Sequence, residues 1–318
     1  MCRAQCILAV VALYVGVAHS WDFAVSSGDQ LIFYTYNGTE TDRVHFKRRN
    51  LGGLAYDPVH NMMFYVDKQN NNDAIFGYNL SSKENEYLVE RSGRNILSIA
   101  HDPATETLFF TDANEKSINS ISLKRGDENN IYGNLLIKLD DRTPDDIAVD
   151  SCGGYIYWTR IEHVENLNVE RAHLDGSGRE ALNNKKIILD VISLTLDPQS
   201  QRVYYFNTGL ATIFMKSADK NGRHEIIYFY KDETVAKELT VSKDYFYFVT
   251  TTSGVNYKSV WRFSKNAEGY VEPEEISKFF TVGFLGLAAN YKIEDQIKGI
   301  QGCDPLSPGE PEAPSNTE

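Results

Sequence analysis

Asp145, Asp146 and Glu238 each precede a short apolar run, whereas Asp67, Asp112, Arg160 and Asn207 each end an aromatic one. Three carboxylates at one opening would attract a basic segment, and Arg160 would orient it through a paired hydrogen bond with a carboxylate. Carboxylates also hold calcium, but such a site needs several oxygens converging on one point. Asp146 and Glu238 are the only acids at positions expected to face a common axis, so the sequence predicts no metal and no cofactor. His45, His60, His101, His163, His173 and His224 show no paired ligand spacing, and neither a G-x-S-x-G elbow nor a phosphate-binding glycine loop occurs. His101 interrupts an apolar run and is expected to pack in the core. No catalysis is expected.

The elements that must position these residues repeat. An apolar residue, a small residue, any residue and a polar anchor recur at Leu54 to Asp57, Ile99 to Asp102, Ile147 to Asp150, Leu194 to Asp197, Leu239 to Ser242 and Leu287 to Asn290. The anchors are 45, 48, 47, 45 and 48 residues apart, and the aromatic runs ending at Asp67, Asp112, Arg160, Asn207 and Thr250 follow eight or ten residues behind. Periods of this size, built from aromatic and β-branched strands, predict an all-β, six-bladed β-propeller of four-stranded blades. The first blade is read as strands at 54–56, 62–66, 74–80 and 86–89. The sixth has only an inner strand, at 284–289, so the segment 23–46 is expected to complete it and hide the exposed sheet edges. Gly53, Ser98, Asp146, Ser193, Glu238 and Gly286, four before each anchor, should then line a central channel.

The N-terminus predicts the compartment. Arg3, the apolar run from Ile7 to Val17 and the small residues Ala18 and Ser20 form a signal peptide over 1–20. That run is too short for a spanning helix, and no later stretch approaches twenty apolar residues. The mature product is expected to start at Trp21, to be secreted and extracellular, and to carry glycans at the sequons of Asn37 and Asn79. Only Cys152 and Cys303 survive cleavage, and an oxidising compartment makes them a candidate disulfide that straps the tail across the channel exit. Residues 304–318 are read as a disordered acidic, Pro-rich tail after a propeller over 21–303. The formal charge of -12 becomes -13 without Arg3, which argues against nucleic acid and anionic membranes as partners. Arg125, Gly126 and Asp127 fall in a turn, where Gly-Asp is favoured for its own sake, so an integrin partner is not expected.

Tyr157-Trp158-Thr159, Phe109-Phe110-Thr111-Asp112 and Pro144-Asp145-Asp146-Ile147-Ala148-Val149-Asp150 resemble the class B, or YWTD, repeats of the low-density-lipoprotein receptor family. Val169-Glu170-Arg171, Leu174-Asp175-Gly176-Ser177 and Trp21-Asp22-Phe23-Ala24-Val25 extend the resemblance, which is strongest to an insect member of that family. It implies a rigid propeller that binds an extracellular protein or peptide, with a germ-line developmental role. The growth-factor modules and membrane span of the family's receptors are not expected in this product. Arg160, Asn207 and Thr250 replace the terminal Asp of the repeat, so weaker polar joints between blades are expected. A calcium-dependent, lactonase-like hydrolase and a carrier of a small aromatic ligand are the alternative functions.

Overall fold

The computed structural model describes residues 20–124, 131–139, 142–161, 169–182, 190–209, 212–218, 224–231, 235–251, 256–266, 272–280 and 285–291. The leader over 1–19, Arg125 to Asp127, Cys303 and the tail over 304–318 lie outside them. Among the described residues no helix is long and apolar enough to cross a membrane.

The described residues form six four-stranded antiparallel sheets. Their inner strands are Leu51–Asp57, Ile96–Asp102, Thr143–Asp150, Asp190–Asp197, Val235–Val241 and Leu285–Ala289. The first five start earlier than the sequence pattern indicated, whereas the sixth, read as 284–289, starts one residue later. The first sheet continues through Met62–Asp67, Ala74–Asn79 and Asn85–Val89, close to the expected strands. The architecture is an all-β propeller with four-stranded blades. The sheets pack face to face through aromatic and aliphatic side chains that alternate along each strand. Phe64, Val66 and Ile75 of the first sheet, for example, meet Ile99, Leu108 and Phe110 of the second. Burying one such side chain contributes about 1.5–3 kcal/mol. The described core falls into clusters of this kind between each sheet and the next, including one between the sixth and the first.

The two ends of the described chain meet in one sheet. Phe23–Ser27 pairs with Leu285–Ala289, placing Val25 opposite Leu287, and Gln30–Tyr34 and Glu40–His45 add the outer strands. Asn290 Nδ2 donates to the Trp21 carbonyl at 2.8 Å, and the Trp21 ring meets Phe33 and Tyr56 edge-on. A sheet built from both ends needs no loose edge on its inner side.

The polar anchors cap the turns that follow the inner strands. Asp57 Oδ1 accepts from the Val59 N–H at 2.8 Å, Asp102 Oδ1 from Ala104 at 3.1 Å, and Asp150 Oδ1 from Cys152 and Gly153 at 3.1 and 2.8 Å. A short side chain that accepts the N–H two or three residues ahead fixes such a turn without strand pairing. Polar joints link the first sheet, which keeps the terminal Asp67 of the repeat, to the second. Lys68 Nζ, buried in the first sheet, donates to Asp73 Oδ2 at 2.5 Å and crosses to the Ile96 carbonyl at 2.8 Å. Asp73 Oδ2 accepts the Ile96 N–H at 2.8 Å in return.

Candidate functional site

The inner strands line a cavity of about 360 Å³ on the axis of the molecule. Gly53, Ser98, Asp146 and Glu238 lie on its wall, with Ala55, Ala100, Ala148 and Thr240 two residues further along the same strands and Ala288 on the sixth. Small residues at these positions keep the axis open. Glycine is required at 286, because a Cβ there would sit 2.4 Å from the Gly52 carbonyl of the next inner strand.

Five inner strands carry a register shift before the anchor: between Leu51 and Leu54, Ile96 and Ile99, Pro144 and Ile147, Val191 and Leu194, and Ala236 and Glu238. A bulge leaves backbone groups without ladder partners and re-aims the side chains it carries. Asp145, Asp146 and Lys237 are such displaced residues. The threonine of the aromatic strand takes up the freed N–H: Thr159 Oγ1 accepts from Asp146 at 3.0 Å, and Thr111 Oγ1 accepts from Ser98 at 3.0 Å. Thr111 Oγ1 also donates to the Asp145 carbonyl at 2.8 Å, joining the second sheet to the third.

The three acids have different surroundings. Asp146 accepts from Ser98 Oγ at 2.6 Å, Ser193 Oγ at 2.7 Å, and the N–H groups of Leu194 and Ile147 at 2.9 Å each. Ser193 Oγ in turn accepts the Leu239 N–H at 3.1 Å, so one polar chain runs from the second sheet to the fifth. Asp146 is a bracket with its lone pairs occupied. Asp145 and Glu238 make no side-chain hydrogen bond among the described residues. Both retain some exposure to the channel, yet protein encloses them, so water solvates their charges poorly. Burial pushes the Asp145 carboxyl up to about 7, repulsion from Asp146 adds to this, and Lys237 opposes it. Glu238 is raised well above the usual range by burial first and then by Asp146 and Asp145, again opposed by Lys237. Burial also raises Asp146, against the hydrogen bonds from Ser98, Leu194, Ser193 and Ile147. The arrangement can receive a cation: a positive group entering between the two uncommitted carboxylates would lower their pKa values, and their protons would leave to solvent.

The remaining predicted rim residues are engaged internally. Asp67 is buried against Arg91, with Arg49 at 3.6 Å, and Asp112 is buried against Arg94 at 3.1 Å. Arg160 is buried and holds Glu170 at 3.1 Å. Spacing alone placed these three around an open rim. In the structure Asp67 and Asp112 tie loops to the sheets and Arg160 ties two strands of the third sheet, and of the predicted residues Asp145, Asp146 and Glu238 line the cavity, beside Lys237. Asn207 lies in the strand Arg202–Gly209, and its side chain is outside the described set. Of the sequons, Asn37 is exposed and Asn79 half-buried, with Asn79 Oδ1 accepting from Ser81 and Ser82. Lys237 was not singled out by the sequence, and Ser98 and Ser193 were read only as channel-lining positions, because the bulge and the neighbouring strand give them their roles. Among the described residues no group of three or more His, Cys, Asp or Glu is placed to hold a metal ion.

No protein-family model matches the chain. It is 26% identical over 259 residues to Protein cueball of Drosophila virilis, covering 78% of this chain and 39% of that protein. Against Protein cueball of Drosophila willistoni it is 24% identical over 273 residues, covering 82% of this chain and 41% of that one. The chain thus spans about two fifths of the length of these curated relatives. Among solved structures, a chain of a nidogen/laminin complex superposes with a TM-score of 0.67 at 19% identity, over 85% of this chain and 98% of that one. A gluconolactonase from Xanthomonas campestris superposes with a TM-score of 0.56 at 14% identity, over 85% of this chain and 86% of that one. The resemblance to class B repeat propellers of the low-density-lipoprotein receptor family, read from the repeats, is borne out.

Proposed function

We propose that this chain is a secreted, non-catalytic propeller that binds an extracellular protein or peptide by taking a basic side chain into the channel mouth. The observation that carries the reading is the pair of uncommitted carboxylates, Asp145 and Glu238, held over a cavity of about 360 Å³. An incoming Lys or Arg would gain two charge-assisted partners in a site that screens them little, and the rigid wall lowers the ordering cost of binding. A similar fold found in a nidogen/laminin complex fits a role in protein binding. The resemblance read from the repeats adds a germ-line developmental setting to the proposal.

The six sheets are, in this reading, six blades of a ring closed by the N-terminal strands. The disulfide-bonded state of Cys152 supports a strap to Cys303 across the opposite face. A leader over 1–20, a propeller over 21–303, an acidic tail over 304–318 and glycans at Asn37 and Asn79 complete the proposal. The likeness to a gluconolactonase extends to the fold alone, and the few channel oxygens favour binding over calcium-dependent hydrolysis.

Affinity capture tests the reading. The chain is expressed with its leader, collected from the medium and immobilised, and retained extracellular proteins are identified. The expected result is a product starting at Trp21 that retains a protein with an exposed basic segment, released by about 0.5 M salt. A membrane-retained product with residue 1 intact would contradict secretion. Capture that is indifferent to salt would contradict the basic-segment reading.

A further inference from the structure

Next to the channel wall at His101, a cleft of about 1190 Å³ opens between the first and second sheets. Its floor is apolar: Met62, Phe64 and Leu88 from the first sheet and Leu123 from the second. Gly77 lies beneath that floor. A Cβ at this position would come within 2.8 Å of Met62 Cε and 3.6 Å of Phe64 Cδ1, so the absent side chain lets both sink. The rim carries Glu84, Glu86 and Glu106, and no Lys or Arg appears among its described lining residues.

At the deep end the chain brings together three residues far apart in sequence. Asp57 Oδ2 is 2.6 Å from His60 Nδ1 and 4.0 Å from His101 Nε2. The His101 side chain is only 3% exposed, and neither of its ring nitrogens has a hydrogen-bond partner. A neutral imidazole offers one N–H and one lone pair, and burial without partners is costly for both. Two acceptors 4.0 Å apart can share one nitrogen placed about 2.9 Å from each. His60, with 54% of its side chain exposed, covers Asp57 from the solvent side and can turn outward at small packing cost. Burial holds His101 toward its neutral form, against the pull of Asp57 and Asp102 and with His60 opposing protonation, which keeps a lone pair available.

We propose that this cleft binds a small organic amine, whose ammonium takes the place of His60 between Asp57 and His101 while its apolar body lies on Met62, Phe64 and Leu88. An ammonium only donates, which suits two acceptors, and its charge opposes that of the acidic rim. An anion of the same shape meets four carboxylates, Asp57, Glu84, Glu86 and Glu106. A neutral alcohol has a single O–H to donate, so it reaches only one of the two acceptors and brings no charge to Asp57. The cleft shares His101 with the channel wall but has neither Asp145 nor Glu238 in its lining, so it does not depend on the proposed peptide binding.

The test uses the full chain and 2-phenylethylamine as the probe, with 2-phenylethanol and phenylacetate as its neutral and anionic counterparts. Calorimetry gives the affinities, and imidazole nitrogen resonances report on His60 and His101. The amine is expected to bind at least about tenfold more tightly than either counterpart and to shift both histidine signals. Gly77→Ala, which raises the floor without demanding an unusual backbone, is expected to weaken the amine about tenfold with the near-ultraviolet dichroism unchanged. The channel variant Asp145→Asn with Glu238→Gln is expected to bind the amine as the parent does. Equal affinity for amine and alcohol, unmoved histidine signals at saturating amine, or loss of amine binding in the channel variant would each overturn the proposal.

Discussion

Asp145 and Asp146 are adjacent in sequence and alike in type, yet four donors surround one and none the other. Asp146 therefore serves the fold, while Asp145 keeps a buried charge that nothing inside the protein balances fully. Because its carboxyl is raised to about 7, the native state holds a proton that the unfolded chain has already released above about pH 4. Stability from this group is thus greatest at low pH and is lost as pH rises through about 7. Asp197 works in the opposite sense and in a different window. Burial would raise it, but Lys265, Ser200 and Tyr291 together bring it below the ordinary carboxylate value, so its contribution is lost only under more acidic conditions. We expect Asp145→Asn to be more stable than the parent by about 1–3 kcal/mol at pH 8 and close to it at about pH 4. Urea unfolding at both values checks this; a variant less stable at pH 8 would show that the carboxylate has an internal partner. The acids themselves were legible in the sequence as channel residues. Their division of labour was not, because it depends on Ser98 and Ser193, 48 and 47 residues from Asp146.

At the scale of elements, the inner strand and its aromatic partner act as one device. The anchor fixes the turn between them, and the threonine of the aromatic strand holds the bulge that presents the channel residue. Thr159 is fully buried, and its hydroxyl supplies the acceptor that the ladder cannot give to the Asp146 N–H. Thr159→Val keeps the shape and removes that acceptor. It is expected to cost about 1–3 kcal/mol, read as a lower denaturant midpoint with an unchanged slope; no loss would mean that the bulge satisfies itself. The strands were legible because apolar and polar residues alternate around a fixed anchor, as at Leu54 to Asp57. The bulges were hidden, since a one-residue slip changes facing without changing composition. Asp67, Asp112 and Arg160 were misplaced to an open rim for a related reason: their partners Arg91, Arg94 and Glu170 come from loops and outer strands that carry little periodic signal.

Over the whole molecule, the repeat period and the unpartnered N-terminal segment together foretold that the chain ends would share a sheet. The pairing of Phe23–Ser27 with Leu285–Ala289 meets that expectation. The cleft beneath His101 was not foretold, since His60 and His101 look like isolated histidines until Asp57 brings them together. A rigid ring with an acidic mouth is the central claim, and calorimetry with tetralysine at about 20 mM salt tests it most directly. Deprotonation of Asp145 and Glu238 favours a cationic ligand, so affinity should rise as pH increases through about 7. The parent is expected to bind at pH 8 and to weaken about tenfold at pH 6, and Asp145→Asn with Glu238→Gln to lose about tenfold at pH 8 while remaining folded. Absence of saturable binding by the parent, or equal affinity in the folded double variant, would contradict a basic group docking at the channel mouth.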